Sequence, residues 1–288
     1  MVFSRFKIFL EMIKFEHTIF ALPFAYVGAL LAEIRIPDAH DIIWITLAMV
    51  GARTAAMSLN RIIDRHIDAK NPRTAGRALP KGLISVIEVW VYVIMSLALL
   101  LYSARQLSPL AFHLFPLATL VLLVYSYTKR FTWVCHLFLG ATLGLAPLGS
   151  WIAITGRFDL APVLLALGVL FWVAGFDIIY ACDDYEFDRR EKIYSIPARF
   201  GIKKALYISI AFHIAAPVLI LAAGLLLNLG LLYFAGVLAA VIILFYQHKL
   251  VRPDDLSRAG IAFFNLNGIL SVLVFTFTLL DVIYPIYF

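Results

Sequence analysis

Nine apolar stretches constrain this chain more than any other feature. Several reach the roughly 20 residues a helix needs to cross about 30 Å of hydrocarbon. They run over Thr18 to Ala32, Ile42 to Ile62, Val86 to Ala104, Pro109 to Tyr127, Val134 to Thr155, Ala161 to Cys182, Ala205 to Leu227, Leu231 to Tyr246 and Phe263 to Val282. A soluble fold has nowhere to hide that surface: 63% of the 288 residues are hydrophobic, 15% are charged and the mean hydropathy is +0.93, against about 25% charged residues in an ordinary soluble domain. The expected fold is an all-α integral membrane bundle of nine transmembrane helices. No linker or low-complexity tract interrupts the series, so residues 1–288 are read as one domain. Ahead of it, Arg5, Lys7, Glu11 and Lys14 alternate with Phe3, Phe6, Ile8, Phe9 and Leu10. That pattern suits a helix lying on the membrane surface better than a cleavable signal. Cys135 and Cys182 fall in or beside apolar stretches and are read as packing residues.

The basic residues orient the bundle. Of 24 Lys and Arg, 20 lie at the amino terminus or after even-numbered stretches; only Arg35, Arg105 and Arg157 lie on the other side, and Arg53 lies inside a stretch. The positive-inside rule then puts the amino terminus and the ends of stretches two, four, six and eight in the cytoplasm, in a cell inner membrane. The net charge of +6 is thus a topological signal and an anionic-ligand signal, with no aromatic-interleaved patch to suggest nucleic acid.

The acids are the informative residues. Stretch two ends in NRIIDRHID, which places Asn60, Asp64 and Asp68 at i, i+4 and i+8 of one helical face. Stretch six ends in DIIYACDDYEFDRR, with Asp177, Asp184 and Asp188 at i, i+7 and i+11. Two such ladders at the same membrane level would repel in isolation. Facing each other, they supply hard oxygen ligands, few per ion, which suits Mg2+ completed by water and phosphate.

Bases accompany them. The loop AKNPRTAGRALPKG, broken by Asn71-Pro72 and Gly76, sets Lys70, Arg73, Arg77 and Lys81 where they would cover an anion. Stretch four ends in YSYTKR, with Tyr125 and Lys129 at i and i+4; Arg130 reads as a positive-inside anchor. Arg53 lies two turns inside stretch two from Asn60, where an arginine needs an anion: an acceptor's, or a carboxylate such as Asp177 at similar depth. Glu88, His17, His113, His136 and His213 read as interfacial, none with ligand spacing. Gly140 and Gly144 form a small-xxx-small pair for close helix packing.

Taken together, NRIIDRHID, NPRTAGRALP, YSYTKR and DDYEFD resemble the UbiA family of intramembrane prenyltransferases, from stretch one to about Gly201. Its Asn-x-x-x-Asp-x-x-x-Asp and Asp-x-x-x-Asp patterns are met by Asn60, Asp64, Asp68, Asp184 and Asp188. Arg61, where many members carry Asp, is read as pointing off the ladder face, and Asp183 stands where relatives often have an amide. The resemblance implies a nine-helix bundle around a central cavity opening sideways to lipid, with cytoplasmic helical caps and a pair of Mg2+ ions bridged by a diphosphate. It implies catalytic help from Arg73, Tyr125 and Lys129. Together with the residues themselves, this makes Asp64, Asp184, Tyr125 and Lys129 the expected catalytic residues, Lys70, Arg73, Arg77 and Lys129 the expected diphosphate ligands, and Arg53 and Asp177 the expected acceptor site.

The expected reaction is transfer of a polyprenyl group from its diphosphate to a small aromatic acceptor. The loop wording resembles the 4-hydroxybenzoate branch, with 1,4-dihydroxy-6-naphthoate of menaquinone synthesis as the alternative acceptor. Cationic groups meet the leaving group's charge, the Tyr125 ring face steadies the allylic cation, and apolar walls exclude water. No residue stands out as the base; pyrophosphate and the ladder carboxylates are the available groups. A proton-coupled carrier is the competing class, but a carrier places its charges near mid-membrane in paired halves, and here the acids gather at one membrane face.

Overall fold

The computed structural model describes residues 2–14, 18–261 and 265–286. His17 and the start of the ninth apolar stretch at Phe263 lie outside the described residues. All regular elements among the described residues are helical. They are α1 (Val2–Met12), α2 (Thr18–Glu33), α3 (Ala39–Lys70), α4 (Val86–Leu107), α5 (Pro109–Thr128), α6 (Cys135–Thr155), α7 (Leu160–Ala181), α8 (Tyr185–Glu191), α9 (Ile196–Phe200), α10 (Ile202–Leu226), α11 (Leu231–Leu250), α12 (Ala259–Ile261) and α13 (Asn267–Ile283). Seven of them are long and apolar enough to cross a bilayer: α3, α4, α5, α6, α7 with its continuation through α8, α10 and α11. The chain is a multi-pass membrane protein. Helices α2 and α13 are apolar but shorter, at 16 and 17 residues.

Between helices in lipid the hydrophobic effect supplies little, and close packing and hydrogen bonds take over. The α6/α7 seam shows the first. A Cβ on Gly140 would stand 2.2 Å from the Leu170 carbonyl oxygen, and one on Gly144 2.6 Å from that of Ala166; the small-residue pair is where the two backbones touch. Buried polar bonds show the second. Trp172 Nε1 donates to Asn267 Oδ1 at 2.9 Å, Tyr233 Oη to the Ile220 carbonyl at 2.8 Å, and Ser209 Oγ to that of Gly175 at 2.7 Å. The Asp281 carboxylate accepts the Gly230 and Tyr233 amides and so closes the start of α11. Around these lies a core from Phe24, Leu165, Trp172, Ile220, Val237 and Val274. Outward-facing side chains such as Ile87, Ile94, Leu238 and Phe245 are exposed and apolar, as a lipid-facing surface requires.

Two local events position the acids. Helix α3 has 32 residues, a length of about 48 Å, so its last turns continue past a hydrocarbon thickness and carry Asp64 and Asp68 with them. It ends at Asn71, which turns extended before Pro72. Helix α7 instead tightens into a 3-10 turn at Cys182–Asp184 before α8 begins. The i, i+7 and i+11 spacing of Asp177, Asp184 and Asp188 predicts one continuous helical face, and the 3-10 turn breaks it. The amphipathic α1, with Ile13 just after it, buries Phe9 and Met12 against Leu59, Ile62, Val89 and Val93 of α3 and α4, and its Arg5 pairs with Glu88, the residue that completes the capping box of α4.

Candidate active site

A cavity of about 1120 Å³ lies among α3, α5, α6 and α7. Asn60, Asp64, Asp68, Arg73, Arg77, Lys129, Asp184 and Asp188 line one end, and Ile45, Leu107, Ala111, Leu114 and Phe158 the other. From Ile45 to Asp64 along α3 is about 28 Å at 1.5 Å per residue. The space is thus polar at one mouth and apolar for most of its depth.

At the polar end each ladder acid holds a partner. Asp64, 1% exposed, takes Lys129 Nζ on Oδ2 at 2.6 Å and faces Arg130 Nη2 from Oδ1 at 3.0 Å; Asn60 Nδ2 also donates to its Oδ2 at 2.9 Å. Asp68, 4% exposed, receives Arg77 Nη1 on both oxygens at 2.7 Å. Across the mouth, Arg73 makes a forked pair with Asp184, its Nε donating to Oδ1 at 3.0 Å and its Nη2 to Oδ2. It also donates to Tyr180 Oη and lies 4.7 Å above that ring. Burial disfavours the Arg73 charge, but the hydrogen bond and charge of Asp184 outweigh it and hold the guanidinium above its usual range. Asn71 closes the gap between the ladders: Nδ2 donates to Asp184 Oδ1 at 2.9 Å, while Oδ1 accepts the Arg73 amide. Asp188 accepts from Ser195 Oγ at 2.9 Å. The two ladders, 120 residues apart in sequence, do converge.

Other expected residues part company with this group or change partners. Lys70 lies outside the cavity lining and pairs with Glu191 on α8 at 2.9 Å, so it belongs to the rim. Asp183 is exposed and turned away from the cavity. Tyr125 lines the cavity, its hydroxyl donating to the Ala56 carbonyl at 3.3 Å. Arg53 lines it too, about 10 Å deeper than Asn60 along α3. Asp177 takes His136 Nδ1 at 2.6 Å, and the Ile196 amide donates to His136 Nε2 at 3.2 Å. With Nε2 accepting, Nδ1 carries the proton given to Asp177. His136 is thus a buried, hydrogen-bonded residue of the cavity wall at the start of α6. His213 is likewise buried, bonded to His248 and the Trp172 carbonyl.

Arg61 corrects the sequence reading most directly. It lines the cavity and is 8% exposed. At about 100° per residue it stands about 20° from Asp68 around α3, nearer than Asn60 does, so it belongs to the ladder face. Sequence reasoning also missed Arg130, Asn71, Tyr180 and His136. Arg130 had a signal in its place beside Lys129; His136 and Asp177 meet across 41 residues, with no local spacing to betray them.

The sequence pattern of the UbiA prenyltransferase family matches residues 21–269. A 4-hydroxybenzoate octaprenyltransferase of Yersinia pseudotuberculosis serotype IB is 30% identical over 244 residues, 84% of each chain, and one of Yersinia enterocolitica serotype O:8 is 29% identical over the same length. Among solved structures, the apo UbiA homolog from Aeropyrum pernix K1 superposes with a TM-score of 0.85 at 37% identity, covering 92% of this chain and 98% of its own. A UbiA homolog from Archaeoglobus fulgidus, solved with GPP and Mg2+, has a TM-score of 0.75 at 21% identity, covers 96% and 99%, and shares the fold. A family match over most of the chain, on ladders that converge in space, makes this chain a member of the UbiA prenyltransferase family.

Proposed function

We propose that this chain transfers a polyprenyl group from polyprenyl diphosphate to 4-hydroxybenzoate, releasing diphosphate, in quinone biosynthesis. The observation that carries the reading is the convergence of Asn60, Asp64 and Asp68 with Asp184 and Asp188 at the polar mouth of a deep apolar cavity. The relatives named for 4-hydroxybenzoate favour that acceptor over 1,4-dihydroxy-6-naphthoate.

The donor set fits Mg2+. All five groups offer hard oxygens, and Asp64 Oδ1, buried and facing Arg130, makes no hydrogen bond among the described residues. No three of the described His, Cys, Asp and Glu side chains already gather around one point; each acid is held by a base or a hydroxyl instead. Asn60, Asp64, Asp68, Asp184 and Asp188 would hold two ions bridged by the diphosphate. Bound there, Mg2+ supplies positive charge against the leaving diphosphate.

The chain's own residues do the rest. Arg73, Arg77 and Lys129 exchange their carboxylate partners for diphosphate oxygens and meet the charge that grows as the allylic C–O bond breaks; Lys70 steers at the rim. Tyr125 presents its ring to the allylic cation, and the apolar depth of the cavity takes the isoprenoid and excludes water. Arg53 binds the acceptor carboxylate, and Asp177, fixed by His136, borders the same acceptor space. In the membrane, α2 and α13 join the seven longer helices to give nine spans in one domain. The acid-bearing ends, α1, α8 and α9 face the cytoplasm, and the cavity opens sideways to lipid, in the cell inner membrane.

The test is prenyl transfer and pyrophosphate release by purified protein, with each acceptor, with Mg2+ and with chelator. Product with 4-hydroxybenzoate that requires Mg2+ is the expected result. Preference for the naphthoate would move the acceptor; no turnover and no Mg2+-dependent binding of the diphosphate would overturn the enzyme reading in favour of a carrier.

A further inference from the structure

The cations of the polar mouth are not equivalent. Arg73, Arg77 and Lys129 each neutralise a carboxylate. The Arg61 guanidinium bonds only neutral oxygens: Nε donates to the Met12 carbonyl at 3.1 Å and Nη1 to Asn60 Oδ1 at 3.3 Å, while Nη2 makes no hydrogen bond among the described residues. Met12 ends α1, so its carbonyl is one a helix leaves unsatisfied. Arg61 thus spends one nitrogen docking α1 and one holding the Asn60 amide. A guanidinium so deeply buried, without an acid of its own, is costly until an anion completes it.

We propose that Arg61 is an anion-binding residue of this cavity, and that Nη2 takes a diphosphate oxygen of the prenyl donor. This rests on reading the cavity as a diphosphate site. The level on α3 selects the diphosphate over an acceptor carboxylate: Arg61 precedes Asp64 by one turn, whereas Arg53 stands eight residues deeper. The same side chain then joins the substrate to α1, because the nitrogens that orient Nη2 are fixed through Met12 and Asn60.

The experiment is calorimetric binding of inorganic pyrophosphate with Mg2+ to the full chain in lipid nanodiscs, with 4-hydroxybenzoate titrated in a parallel arm, for wild type, Arg61→Gln, Arg61→Lys and Arg73→Gln. Arg61→Gln keeps a donor for the Met12 carbonyl and removes the charge. The expected result is pyrophosphate binding weakened about tenfold or more by Arg61→Gln and several-fold by Arg61→Lys, with 4-hydroxybenzoate binding within twofold of wild type. If Arg61→Gln lowers the unfolding temperature too far to measure, Arg61→Lys carries the test alone. Pyrophosphate binding unchanged within twofold in the Arg61 variants, while Arg73→Gln loses it, overturns the proposal and leaves the site reading intact. Loss confined to the 4-hydroxybenzoate arm overturns it in favour of an acceptor contact. A wild-type protein that binds no pyrophosphate with Mg2+ overturns the site reading and the proposal together.

Discussion

Lys129 at the end of α5 reaches Asp64 in the middle of α3's acidic face at 2.6 Å, so an acid expected to hold metal and a base expected to hold phosphate neutralise each other. The pair makes the polar mouth affordable inside a membrane protein and predicts separable effects on stability and turnover. Asp64→Ala leaves Lys129 and Arg130 facing a buried gap, which costs about 1–3 kcal/mol, and lowers kcat/KM by about 100-fold or more. Adding Lys129→Met removes one stranded cation and recovers part of the stability without recovering activity. Thermal unfolding and the transfer assay on the two variants check this; activity that returned along with stability would show the pair to be structural only.

Arg53 lies deeper on the same helix and lines the cavity there, where we propose that it meets the other substrate. Arg53→Met raises KM for 4-hydroxybenzoate about tenfold or more, the loss of a charge-assisted hydrogen bond, and leaves KM for the prenyl diphosphate within about threefold. A parallel rise in both constants would place Arg53 in the general architecture of the cavity instead.

His136 fixes Asp177, and the bond can be tested by its geometry. His136→Phe strands the carboxylate at the cavity wall at a cost of about 1–3 kcal/mol and raises the acceptor's KM. His136→Asn places an amide nitrogen near the position of Nδ1 and retains more of both. Equal losses in Phe and Asn variants, in unfolding and in steady-state kinetics, would mean that packing of the ring, not the hydrogen bond to Asp177, is what matters.

The ladder on α3 was legible because Asn60, Asp64 and Asp68 ride one unbroken helix, where spacing alone fixes the face. The second ladder was legible as acids at a helix end but not in register, since the 3-10 turn at Cys182–Asp184 resets the helical phase that i, i+7 assumes. Arg61 shows the converse error: its spacing of seven from Asp68 is a same-face spacing, yet the ladder was phased from Asn60. Contacts such as His136 with Asp177 and Asn71 with Asp184 depend on which helices become neighbours, and no local pattern in a single sequence encodes that.

Gly140 tests the packing that brings α6, with His136, against α7, with Asp177. The seam closes so tightly that a Cβ at this position would stand 2.2 Å from the Leu170 carbonyl oxygen, and that atom is backbone, which cannot swing aside as a side chain can. Gly140→Ala must therefore push the helices apart along their whole contact, and the gain in helix propensity of about 1 kcal/mol cannot offset overpacking of about 1–3 kcal/mol or more together with lost dispersion contacts. The expected outcome is a lower unfolding temperature in detergent and a weakened His136 to Asp177 bond, seen as a rise in the acceptor's KM of the same kind as in His136→Phe. Gly149→Ala, on the same helix where a Cβ meets nothing within 4 Å, is the control for packing and leaves the unfolding temperature near wild type; its acceptor KM is not part of the control because Gly149 lines the cavity. If Gly140→Ala proved as stable as Gly149→Ala, the close approach of α6 and α7 would not be what holds this wall of the cavity in place.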